Sequence, residues 1–90
     1  MFGWEVVEVI EEIGEDVKVL ASFVNGKLQP VIFKWRNRTY QPLTIASSWS
    51  DYEGQFKRVY FSVLTDQSNL YELCFHTRNF QWCLVRIHHD

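Results

Sequence analysis

Ninety residues are enough for one small domain and too few for two, each of which would fall below the size that buries a stable core unaided. Apolar residues make up 47% and charged residues 22%, which excludes a disordered chain, and no apolar run is long enough for a transmembrane helix. The net charge of −2 conceals an asymmetry: residues 1–16 hold six acids and no base, leaving five acids and nine bases, or +4, in the other 74 residues. The chain therefore divides into an acidic N-terminal segment, 1–16, and a basic body, 17–90. No basic n-region opens the sequence. Two cysteines are fewer than a secreted domain this short usually carries, so a cytoplasmic protein with free thiols is expected.

In the first 14 residues Phe2, Val6, Val9, Ile10 and Ile13 fit a helical stripe, with Gly14 as a stop. The β-branched residues Val6, Val7, Val9 and Ile10 favour a strand, and the glutamates would repel at helical spacing. The balance leans to one N-terminal helix. From Val17 the pattern is β. Asn25-Gly26 is a strong hairpin signal, because a type I′ turn needs positive φ twice. It places Phe23 opposite Leu28 and Val19 opposite Ile32. Pro30 marks an edge or a bulge. Arg36-Asn37 is a second tight turn, with Phe33 facing Tyr40. Leu43, Ile45 and Trp49 alternate ahead of a polar loop, residues 50–55.

The last third is the most regular. Pairing Val63 with Tyr71 puts Phe61 opposite Leu73 and Val59 opposite Phe75, all apolar on one face. Pairing Leu73 with Val85 then puts Tyr71 opposite Ile87, Phe75 opposite Cys83, and Glu72 opposite Arg86. The expected fold is all-β: an antiparallel meander of five to six strands forming a small barrel or a strongly curved sheet.

No phosphate-binding loop, dinucleotide fingerprint, zinc-protease motif or nucleophile elbow is present, and the four glycines are scattered. Cys74 and His76 share a strand face, but the register above turns Cys83 away, so no metal site and no cofactor is expected. Cys74 with His76 lacks an orienting acid, and the protein is not expected to be an enzyme.

The aromatic content is high at 17%. On the non-core face of the meander the register places Arg58, Tyr60, His76, Trp82 and Arg86, and Arg36 and Arg38 flank the second turn. Cations interleaved with rings suit single-stranded nucleic acid, whose bases stack while its phosphates meet positive charge. The alternative is that Tyr60 and Trp82 form a second apolar layer beneath the N-terminal segment. A third reading is a protein-interaction module or a homodimer that pairs exposed strand edges and has no nucleic-acid contact.

The pattern Val17-x-Val19-x-Ala21, Gly26, Pro30, Phe33-x-Trp35-Arg36-x-Arg38, Tyr40, Trp49, Arg58-x-Tyr60-Phe61-x-Val63, Asp66, Tyr71-x-Leu73 and Trp82-x-Leu84 resembles a small bacterial domain family. That domain is also found at the C-terminus of the inactive Y-family polymerase subunit of translesion (mutasome) systems. The resemblance covers about three quarters of the chain, with Asn37 where glycine is expected. It implies a non-enzymatic accessory module in DNA repair or lesion tolerance. Taken with the basic, aromatic face read above, the expected partner is single-stranded nucleic acid or a DNA-repair protein.

Overall fold

A computed structural model describes residues 9–41, 44–65 and 68–89. Among these residues the chain forms seven strands and no helix: β1 (Val9–Val24), β2 (Lys27–Trp35), β3 (Arg38–Tyr40), β4 (Thr44–Glu53), β5 (Phe56–Leu64), β6 (Leu70–His76) and β7 (Gln81–His89). They make one antiparallel sheet in the order β3-β2-β1-β7-β6-β5-β4. With no helix, nothing among the described residues is long and apolar enough to cross the membrane as one.

The expectation of an N-terminal helix is corrected at Val9, Ile10 and Ile13, while Phe2 and Val6 of the same stripe lie outside the described residues. From Val9 onward the acidic segment is strand, and β1 runs unbroken into the basic body. A strand sends neighbouring acids to opposite faces, where each finds a basic side chain, whereas a helix would stack them together. Glu11 reaches His89 at 2.8 Å, Glu12 reaches Arg86 at 2.9 Å, and Glu15 reaches Arg36 at 2.7 Å. Gly14, at φ +64, sits where the β1–β7 register shifts between Glu12 and Glu15, a bulge conformation that suits a residue without Cβ.

The strands number seven among the described residues, not five or six, and residues 50–53 continue β4 instead of forming a loop. Both expected tight turns are present. Asn25 and Gly26 have φ of 54° and 72°, Arg36 and Asn37 of 50° and 63°, and Phe33 pairs with Tyr40. Phe23 pairs with Leu28 as expected, but Val19 faces Phe33, not Ile32. The register shifts between Leu20 and Ala21, opposite Pro30, which has no N–H to give the ladder.

The β5–β6 register is the expected one throughout. The β6–β7 register holds at Tyr71–Ile87 and Glu72–Arg86, then shifts, so that Leu73 faces Leu84, Cys74 faces Cys83 and Phe75 faces Trp82. One extra residue, Val85, lets Trp82, Leu84 and Ile87 all point inward, which strict alternation could not do. Two expectations fall with it. Trp82 lies in the core at 8% exposure, and Cys83 shares the outer face with Cys74.

The sheet curls without closing. Phe33 and Tyr40 stack with ring centroids 4.6 Å apart, and both meet Tyr71 of β6, at 5.5 and 5.1 Å, although β1 and β7 lie between β2 and β6 in the sheet. Phe61, Val63, Leu73, Trp82, Leu84 and Ile87 complete this concave core. Closure into a barrel would need β3 beside β4. β3 is three residues long, and β4 pairs only with β5, so a seam remains between the β2–β3 edge and the β4 edge.

The distal part of the β1–β2 hairpin stands out from the body as an arm. Phe23 and Val24 point to opposite faces, yet are 72% and 62% exposed. The radius of gyration is 14.5 Å and the long axis 52 Å, where a compact chain of this length has a radius of about 12 Å.

Candidate functional site

The meander brings Arg58, Tyr60, His76 and Arg86 to one convex face. Strand pairing sets Asp51, Arg58, His76 and Gln81 in one row, and Trp49, Tyr60, Cys74, Cys83 and Asp16 in the next. Trp82 is absent from this face, because the Val85 bulge turns it inward. Its place as an outer ring is taken by Trp49, which lies parallel to Tyr60 at 5.4 Å.

The arginines of this face are engaged. Arg58 donates two hydrogen bonds to Asp51, at 2.7 and 2.6 Å, and lies over the Tyr60 ring at 5.8 Å. The Tyr60 hydroxyl donates to the same carboxylate at 3.2 Å. The Arg58 guanidinium, with help from Tyr60, holds the Asp51 carboxyl below the usual carboxylate range. Arg86 donates to Glu12 and to Glu72, which is 5% exposed, and His88 stands 3.9 Å from Glu72. A carboxylate on each arginine supplies the negative charge that a phosphate would otherwise supply.

At the β2–β3 turn, Arg36 donates to Glu15 and covers Trp35 at 4.5 Å, and the Trp35 indole N–H also donates to Glu15 at 3.1 Å. Arg36 and Trp35 together lower the Glu15 pKa. Arg38 lies over Tyr40 at 5.7 Å. Lys18 faces Lys34 across β1–β2, and both line a shallow cleft of about 420 Å³ with Trp35 and Arg36.

Burial pushes the Cys74 thiol up to about 11 and raises Cys83 as well. Thiols held protonated at neutral pH are poor nucleophiles and poor metal ligands. Among the described residues no three His, Cys, Asp or Glu side chains gather as metal ligands.

The third feature is the seam. Between the arm and the body lies a groove of about 560 Å³, lined by apolar side chains that include Phe23, Leu28, Ile45, Val59, Phe61 and Phe75. Lys27 and Lys57 stand on its rim, and among the described residues no acid lines it. Phe80, in the β6–β7 turn, packs on the lining residue Phe75 with centroids 6.0 Å apart. Phe80 is 75% exposed and has φ of 57°, a left-handed conformation costly for a residue with Cβ.

Sequence reasoning missed this groove, its residues Lys27 and Lys57, and the neighbouring Phe80. One available signal was Phe80 itself, an aromatic in the turn after His76-Thr77-Arg78-Asn79. Comparison with protein-family models, curated proteins and solved structures finds no match to this chain.

Proposed function

We propose that this protein is a non-enzymatic interaction module whose partner is a protein, held at the seam between the β1–β2 arm and the body. The observation that carries this reading is the apolar groove, with an exposed, strained aromatic packed on one of its lining residues, Phe75. Backbone strain at an exposed side chain persists where the side chain has a use, and aromatics at a pocket edge are the usual anchors of protein interfaces. The resemblance of the Phe33–Tyr40 hairpin and the Arg58–Val63 strand to the mutasome-associated domain supports a DNA-repair protein as that partner. A homodimer is the rival occupant. Light scattering separates the two, since a stable dimer would fill the groove with the chain itself.

A second reading, single-stranded nucleic acid, is favoured by one observation: Lys18 opposite Lys34, like charges that a phosphate would relieve. In that reading Glu12 and Glu15 mask Arg86 and Arg36, and a Glu12→Gln/Glu15→Gln variant gains affinity for single-stranded DNA. The discriminating experiment installs a photo-crosslinking amino acid at position 57 on the groove rim, and separately at position 47 on the convex face, in the protein's own cells. A protein adduct at 57 and not at 47 is expected. Adducts to nucleic acid alone, or protein adducts at 47 alone, would overturn the proposal.

A further inference from the structure

The groove is bounded by two strand edges, and its chemistry specifies what fits between them. β2 pairs with β3 at Phe33–Trp35, so, among the described residues, positions 27–32 have a partner strand on the β1 side alone. β4 pairs only with β5 along Thr44–Glu53. Two rows of backbone donors and acceptors therefore border one apolar floor. At the arm end nothing among the described residues bridges the two edges. The floor extends from Ile45, opposite Val63, to Val59, four residues along β5 and about 13 Å away.

We infer that the seam accepts an extended peptide segment of the partner as an added strand, with apolar side chains at alternate positions and a carboxylate near the end that meets Lys27 and Lys57. This rests on the protein-interaction reading and gives it a substrate class. Edge pairing supplies backbone hydrogen bonds, and the alternate residues that face inward meet Leu28, Ile45, Val59, Phe61 and Phe75. Lys27 and Lys57 are both exposed, and neither has an acid beside it in the groove lining, so the charge selected at that end is negative. Phe80, in the β6–β7 turn, packs on Phe75 of this floor.

The test is selection from a random octapeptide library displayed on phage, using the purified full chain. The expected consensus alternates apolar residues, carries Asp or Glu at one flank and excludes proline from the pairing positions. The enriched peptide, synthesised with alternate amides N-methylated, should lose at least tenfold in affinity, because methylation removes donors from one edge only. A Lys27→Glu/Lys57→Glu variant changes only exposed side chains and should select Lys or Arg at the same flank. A consensus indifferent to both changes, or no consensus, overturns the inference. A protein adduct at position 57 without a strand-like consensus overturns the added strand and leaves the interaction module standing. Failure of both experiments overturns both readings.

Discussion

Single residues on the convex face show why it reads as self-satisfied. Glu72 is 5% exposed and bonded by Arg86, so replacing Arg86 removes the guanidinium from a buried carboxylate and leaves His88, at 3.9 Å, beside it. Arg86→Met is expected to cost about 3 kcal/mol in denaturant titration, and adding Glu72→Gln should restore most of that loss. Equal losses for the single and double variants would show the pair to be incidental. Cys74 carries a pH dependence. Its folded pKa is raised from 9.0 to about 11 by burial, so its contribution is complete below the ordinary thiol range. Above pH 9 the unfolded thiol ionises first, and stability falls as pH rises toward 11. The loss should be on the order of 2 kcal/mol, and it should be smaller in a Cys74→Ala variant. In the folded protein at pH 8 the thiolate is roughly one part in a thousand, so thiol reagents should label Cys74 only on unfolding.

At the scale of elements, legibility tracks unbroken alternation. The β5–β6 ladder was readable because Val59, Phe61 and Val63 meet Phe75, Leu73 and Tyr71 with no interruption. The β6–β7 ladder was readable only as far as Glu72–Arg86. Beyond it Val85 adds one residue, and every side chain from Leu84 back to Gln81 changes face. That single bulge removed Trp82 from the surface and set Cys83 beside Cys74. The convex candidates Arg58, Tyr60, His76 and Arg86 were thus found together, while their stacking partner, Trp49, lay on a strand whose second half looked like a loop. The β6–β7 turn carries the prediction proper to this scale. Phe80 holds a left-handed conformation that glycine adopts without cost, so Phe80→Gly is expected to stabilise the protein by about 1 kcal/mol, raising Tm by several degrees. The same variant should lose crosslinking at position 57. A gain in stability with binding intact would reduce Phe80 to an accident of the turn.

For the whole molecule, the decisive step is the one pairing that is not a hairpin. Every neighbouring pair in the sheet is sequential except β1 with β7, whose partners run from Val9–His89 to Val17–Trp82. Sequence patterning describes local hairpins well and says nothing of this join, nor of whether β3 would meet β4. The groove depends on both, which is why it was invisible in the sequence. The same topology orders folding. The β4–β7 meander forms from short loops, whereas bringing β1 to β7 closes a loop that spans most of the chain, an entropic cost met only after the meander offers a surface. Leu73→Ala, at a site with no exposure, should cost about 2–5 kcal/mol and slow folding, with φ above ~0.5. Val17→Ala, on β1 opposite Trp82, should act mainly by speeding unfolding, with φ below ~0.3. Stopped-flow chevrons on the two variants measure both values. The reverse order would mean that β1 docks early and that the arm, not the meander, templates the sheet. The seam would then be the last edge to form around a nucleus that already contains β2, and its openness would follow from the folding route instead of from the shortness of β3.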